Sequence, residues 1–149
     1  GDFVIKTNRE TFIVEGRSDA TLNPGGIRIG TAEIYRHVEN HEKVKEALAV
    51  GQDWEGDQRI ILYLILKEGI LLDNELNTEI KLLIRQKASP RHVPSKIFQV
   101  DDFPRTRSGK ISELAVKDII HGKEIKNTEA LINPEILKNF RDFKDLFEK

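Results

Sequence analysis

The stretch RIILYLIL, residues 59–66, is the strongest structural signal in this sequence of 149 residues. Its apolar part, from Ile60 to Leu66, is the longest uninterrupted apolar run in the chain. A membrane-spanning helix needs about 20 consecutive apolar residues, so this run is far too short to span a bilayer. Its length and its content of β-branched and aromatic residues are typical of a strand.

Strands and helices are predicted on both sides of this run. In chain order they are strands at 3–7 and 11–15, a helix from Thr31, strands at 44–50 and 59–66, a helix at about 75–87, a strand at 96–100, a helix at 112–121 and a short helix after Asn133-Pro134. The turn-rich GQDWEGDQ, residues 51–58, separates the two central strands. This order predicts an α+β domain in which helices pack on a small mixed sheet, preceded by a β-hairpin.

Local signals mark the ends of several of these elements. Thr31 can cap the first helix, Asp73 or Asn74 can open the second, and Gly122 can close the helix at 112–121. The side chains of the latter helix that we predict to face inward are Leu114, Ala115, Ile119 and Ile120. The stretch GRSDATLNPGGIRIG, residues 16–30, has the composition of a linker and predicts a domain boundary.

Composition narrows the classes of function. The chain has 24 basic and 25 acidic residues, and a general nucleic-acid binder would normally show a basic excess. The absence of cysteine excludes disulfides and thiolate zinc sites. No apolar N-terminal segment resembles a signal peptide. We therefore expect a soluble cytoplasmic protein that binds neither nucleic acid nor membrane.

The stretch FPRTRSGK, residues 103–110, fits neither helical nor strand periodicity. It is not a phosphate-binding P-loop, because that motif needs glycine where Pro104 stands and serine or threonine where Ile111 stands. Two interpretations stay open at this point. The stretch is either a basic surface turn or a loop that brings the ammonium group of Lys110 to an anionic ligand.

Other polar groups are equally ambiguous by themselves. Arg17 and Arg28 flank the glycine-rich stretch and could bind phosphate, or could simply be solvated. His37 and His41 have the spacing of metal ligands on a helix but lack the zinc-protease pattern, so we expect no metal site. Two further groups are the adjacent carboxylates Asp101-Asp102, typical of a turn, and the basic patch Arg85, Lys87 and Arg91 at a helix end.

Taken together, four motifs resemble a known family. These are GD at 1–2, GRSD at 16–19, GGIRIGTAEI at 25–34 and PRTRSGKI at 104–111. In this order and spacing they resemble the C-terminal part of the adenylate-forming superfamily, which includes acyl-CoA synthetases. GRSDATLNPGGIRIGTAEIY, SPRHVPS and NPEILKNFRDF are most similar to the acetoacetyl-CoA synthetase family, although acetyl- and propionyl-CoA synthetases share the shorter motifs.

The resemblance implies a role for each matching position. Lys110 would bind the substrate carboxylate and the oxygen bridging to the α-phosphate during adenylation, which uses ATP and Mg²⁺. Asp2 and Arg17 would hold the ribose of ATP, and Asp19 would be the hinge. The residues implied for coenzyme A are Gly26, lining the pantetheine tunnel, and Arg28 and Arg85, contacting its phosphates.

The resemblance also implies a division of the chain. Residues 1–18 would end a large N-terminal domain that is otherwise missing, and residues 19–149 would form a mobile C-terminal domain. We expect such a fragment to be inactive by itself. The alternatives are an acetyl- or propionyl-CoA synthetase fragment, a carrier-protein adenylation domain, and a free-standing module that binds phosphate or a protein partner.

Overall fold

A computed structural model describes residues 21–122, 131–141 and 143–147 of the chain. Its strands and helices are β1 (Thr21–Leu22), β2 (Ile29–Gly30), α1 (Thr31–Val38), β3 (Val44–Trp54), β4 (Asp57–Leu66), α2 (Asn74–Lys87), β5 (Lys96–Gln99), α3 (Glu113–Ile120) and α4 (Leu137–Arg141). Short 3-10 turns occupy Pro24–Gly26, Pro90–His92, Pro134–Ile136 and Lys144–Phe147. The predicted hairpin strands at 3–7 and 11–15 lie outside the described residues.

The apolar stretch RIILYLIL forms most of β4, the central strand of a three-stranded sheet. β4 pairs antiparallel with β3 and parallel with β5, and α2 makes the crossover between the two parallel strands. This is the predicted small mixed sheet with packed helices. No helix in the described part of the chain is long and apolar enough to cross a membrane.

Successive residues of β4 point to opposite faces of the sheet, and both faces are buried. Ile60, Leu62, Leu64 and Leu66 belong to a first apolar cluster, together with the inner faces of α1 and α2. Ile61, Tyr63 and Ile65 belong to a second cluster, together with residues of α3, Phe140 of α4 and Leu146. A strand covered on both faces has no need of polar residues, which explains the continuous apolar run.

The prediction of a long turn at 51–58 is wrong. β3 and β4 extend through this stretch, and only Glu55 and Gly56 form the turn, both with positive φ as a type I′ hairpin turn requires. Polar side chains at the ends of these strands form hydrogen bonds to a segment distant in sequence. Gln52 Nε2 and Arg59 donate hydrogen bonds of 2.9 and 2.8 Å to the carbonyl oxygen of Leu146. Local sequence cannot reveal these partners.

Some local predictions need correction, whereas others are confirmed. The stretch predicted as a linker contains the antiparallel pair β1–β2. Thr31 is the buried first residue of α1, after Gly30 at the cap position, so it is not the cap. Asp73 does cap α2, by accepting a hydrogen bond from the backbone of Leu76.

The inward face of α3 was predicted only in part. Leu114 is 68% exposed, whereas Val116, absent from the predicted set, is fully buried in the second cluster. Ala115 and Ile120 are buried as predicted. Gly122 follows the helix with a φ of 73°, the left-handed conformation expected just beyond a helix end.

Candidate functional site

The predicted site residues within the described part of the chain lie at three places. Gly26 and Arg28 lie on one exposed loop, between β1 and β2, and Lys110 lies on another, just before α3. Arg85 is exposed in the last turn of α2. Asp2, Arg17 and Asp19 lie outside the described residues.

The first loop, residues 23–28, is held by the neighbouring β3–β4 hairpin. Asn23 donates its backbone N–H to Oε1 of Gln58 at 2.6 Å, and Gly25 donates its own to Oδ1 of Asp57 at 3.1 Å. Gly25 and Gly26 both have positive φ, of 62° and 80°. A Cβ atom on either would meet nothing within 4 Å, so the backbone of this loop faces open space.

The second loop, residues 104–111, is a turn closed by hydrogen bonds between its own residues. Thr106 bonds both backbone groups of Lys110. Its N–H donates to the Lys110 carbonyl at 2.8 Å, and its Oγ1 accepts from the Lys110 N–H at 3.2 Å. Gly109, with a φ of 89°, completes the turn by donating to the Thr106 carbonyl at 2.8 Å. The Lys110 backbone is therefore fixed, whereas its side chain is exposed.

The arm that leads into this turn is fixed by Arg105. Its guanidinium group donates to Glu46 on β3 at 2.7 Å and to Asp102 at 3.2 Å. Burial lowers the pKa of Arg105, but the hydrogen bonds and charges of these two carboxylates outweigh it and raise the pKa. Asp102 Oδ1 also accepts from the Phe103 N–H, so this carboxylate supports the backbone at the start of the arm.

The two loops are rooted on opposite faces of the sheet. Leu22 and Ile29, on either side of the first loop, are buried in the first cluster. Phe103 and Ile111, on either side of the second, are buried in the second cluster. Each loop is thus anchored by a pair of apolar side chains, and the two pairs are buried on different faces of one sheet.

The exposed cations suit anionic ligands. Among the residues that the structure describes, no carboxylate forms an ion pair with Lys110 or Arg28. An ammonium group can neutralise a carboxylate or phosphate, and a guanidinium group can bind phosphate oxygens in a fork. These groups are therefore suited to bind anionic ligands.

The two histidines do not share a helix, because α1 ends at Val38 and His41 lies in the bend after it, so the helical spacing predicted for the pair is wrong. His37 bonds to Glu33 at 3.3 Å, and His41 bonds to Glu79 on α2. Within the described ranges, no three histidine or carboxylate side chains are placed so that they could hold a metal ion.

Sequence reasoning missed the residues that support the two loops. Asp57 and Gln58 were assigned to a turn and Asn133 to a helix start, while Arg105 was given no role of its own in the stretch 103–110. Asn133 in fact bonds to the Lys110 arm, with its Oδ1 accepting from the Arg105 N–H at 2.9 Å. These partners are 35, 32 and 28 residues away from the loop residues that they bond, so nothing in the sequence near either loop identifies them.

Comparison with known proteins identifies the class of domain. Residues 35–110 match the family described as the AMP-binding enzyme C-terminal domain. The chain belongs to this family, and its sheet and helices have the fold of the C-terminal domain of adenylate-forming enzymes.

Individual relatives are more specific. The chain is 56% identical over 146 residues to the acetoacetyl-coenzyme A synthetase of Rhizobium meliloti (strain 1021), covering 98% of this chain and 22% of that protein. It is 43% identical over 148 residues to the acetoacetyl-CoA synthetase of Caenorhabditis elegans, covering 97% of this chain and 21% of the relative. The chain thus spans about a fifth of the length of the curated relatives that it matches.

Solved structures agree. The acetoacetyl-CoA synthetase from Streptomyces lividans superimposes with a TM-score of 0.73 at 33% identity, over 91% of this chain and 20% of that one. A Brucella canis acyl-CoA synthetase matches with a TM-score of 0.65 at 28% identity, over 70% of this chain and 19% of that one.

Proposed function

We propose that this chain is the mobile C-terminal domain of an ATP-dependent ligase that converts acetoacetate and coenzyme A to acetoacetyl-CoA. In the first half-reaction the acetoacetate carboxylate attacks the α-phosphorus of ATP, giving acetoacetyl-AMP and pyrophosphate. In the second, the thiol of coenzyme A attacks the acyl carbon, and AMP leaves. The names of the relatives support the substrate, and the observation that supports the two-step mechanism is the rooting of the two loops on opposite faces of the sheet.

Lys110 would serve the first half-reaction. The reacting carboxylate and the triphosphate are both anionic, so their approach is opposed by charge repulsion. A positioned ammonium group in a site closed to water offsets that repulsion far more than water does. Mg²⁺ would enter as part of the ATP substrate and neutralise phosphate charge. The hydrogen-bonded turn around Lys110 would preset the position of its backbone for this task.

The first loop would serve the second half-reaction, after the domain turns about Asp19. Its open glycine backbone at Gly26 would let the pantetheine arm pass, and Arg28 and Arg85 would bind the phosphates of coenzyme A. Asp2 and Arg17 would hold the ribose of ATP against the remainder of the enzyme. The absence of cysteine is compatible with the cytoplasm, where disulfides are rare.

The test is acetoacetate-dependent ATP–pyrophosphate exchange by the full-length enzyme, with acetate as the competing acid. We expect Lys110→Ala to lower the exchange by about 10²–10³, the usual cost of losing one preorganised electrostatic contact. Arg107→Ala is the matched control, because it removes another exposed cation from the same turn. Exchange that survives in Lys110→Ala would contradict the proposed role, and exchange with acetate alone would assign the enzyme to acetate instead.

A further inference from the structure

The turn that carries Lys110 depends on a segment of the chain outside the matched family region. Residues 131–133 follow that region, which ends at residue 110. They run alongside the arm that enters the turn. Leu131 pairs with Thr106 as an antiparallel bridge, and Ile132 donates its backbone N–H to the Arg105 carbonyl at 2.9 Å. The arm is thus held between Ile111 on one side and this segment on the other.

Asn133 joins this segment to the arm through its side chain. Oδ1 accepts from the Arg105 N–H at 2.9 Å, while Nδ2 donates to the Phe103 carbonyl at 2.9 Å and to Asp102 Oδ2 at 3.4 Å. An amide can donate and accept at once, so one side chain bonds the backbone before and after Pro104.

The position of Asn133 next to a helical turn shows that its bonds to the arm are made in place of a cap. It directly precedes the turn Pro134–Ile136, where an asparagine would ordinarily cap the helix that follows. Here its side chain makes no capping hydrogen bond. The side chain is instead committed to the arm on which Lys110 depends.

We propose that Asn133 is a positioning residue for adenylation, which sets the Lys110 turn through Arg105 and Thr106. This inference rests on the proposed function of Lys110. Thr106 bonds both backbone groups of Lys110, and its neighbour Arg105 is fixed by Asn133 and Ile132. A displacement of the arm would therefore move the ammonium group away from the reacting carboxylate. The first loop, rooted on the other face of the sheet, would not be affected.

The experiment measures both half-reactions in the full-length enzyme. In Asn133→Ala we expect acetoacetate-dependent ATP–pyrophosphate exchange to fall about 10- to 100-fold, mainly in kcat, since small misplacements of catalytic groups cost this much. Thioester formation from supplied acetoacetyl-AMP and coenzyme A should stay at the wild-type rate. Asn139→Ala, at an exposed position of α4, is the matched control and should change neither rate.

The outcomes separate this inference from the proposed function. Undiminished exchange in Asn133→Ala, or equal losses in both half-reactions, would overturn the positioning role while the proposed function stands. Wild-type enzyme without acetoacetate-dependent exchange would overturn both. If Asn133→Ala does not fold, Asn133→Asp provides the test, because it keeps the acceptor for Arg105. A loss confined to exchange in that variant supports the inference, and a loss shared by both half-reactions overturns it.

Discussion

The two candidate loops are both anchored to the same domain, but by different kinds of contact. Each presents an exposed backbone with a positive-φ glycine, and each is rooted by two buried apolar residues. The loop at 23–28 is held by hydrogen bonds to two side chains of a neighbouring hairpin. The turn at 104–111 is closed by its own backbone and supported by residues 131–133. Because they are rooted on opposite faces of one sheet, the two loops are suited to act in turn, and the more tightly held one carries the proposed catalytic cation.

The largest expected effect is on stability, at Phe140 of α4, which is buried in the same apolar cluster as the residues that anchor the Lys110 turn. Phe140 is fully buried, its ring is 4.7 Å from that of Tyr63, and its carbonyl accepts from the Tyr63 hydroxyl at 2.8 Å. Burial also raises the pKa of Tyr63, so this hydroxyl stays protonated as a donor. We expect Phe140→Ala to lower the free energy of unfolding by about 3–5 kcal/mol.

Guanidinium denaturation of the 149-residue chain measures this loss. Phe147→Ala is the matched control, because Phe147 lies in the same segment but is 53% exposed. If Phe140→Ala were no more destabilising than the control, residues 137–147 would not be part of the core. The burial of the second face of the sheet would then need another explanation.

A smaller effect is expected at the support of the first loop. Gln58→Ala removes the acceptor for the Asn23 N–H, and one such hydrogen bond contributes about 1 kcal/mol, or about fivefold in a rate. We expect thioester formation to fall by this factor and ATP–pyrophosphate exchange to stay unchanged. Gln86→Ala, an exposed glutamine near the end of α2, should change neither rate.

A second variant can disturb the hydrogen bond between Gln58 and Asn23 without changing Gln58 itself. The Gln58 amide lies over Gly51, where a Cβ atom would stand 2.4 Å from its Cδ. Gly51→Ala should therefore push the amide aside and reproduce the effect of Gln58→Ala. Slower exchange in either variant, with normal thioester formation, would show that the two loops have been assigned to the wrong half-reactions.

The difference between the loops also explains what could be predicted from sequence. The run Ile60–Leu66 is sufficient by itself to predict a strand, because a strand buried on both faces needs only apolar residues. Lys110 could be proposed from sequence because its motif is local. The support at Asn133 was not, since an asparagine before a proline is indistinguishable from a helix cap until its partner, 28 residues away, is known.

The same reasoning accounts for the errors in the fold. The ends of β3 and β4 are polar because Gln52 and Arg59 bond to the carbonyl of Leu146, 94 and 87 residues further on. Leu114 was expected inside because it is apolar, yet the rotation of α3 buries Val116 instead. Contacts distant in sequence decided each of these cases.

The central claim is that the two loops serve different half-reactions, and the most direct measurement compares both rates in two variants of the full-length enzyme. We expect Lys110→Ala to lose exchange but to form thioester normally from supplied acetoacetyl-AMP. Gly26→Leu should do the reverse, with thioester formation reduced by about 10² because the added side chain displaces the thiol. Gly25→Leu imposes a similar backbone strain and is the control, since Gly25 also has a positive φ. Reciprocal losses are the predicted result, and equal losses of both half-reactions in both variants would contradict the account.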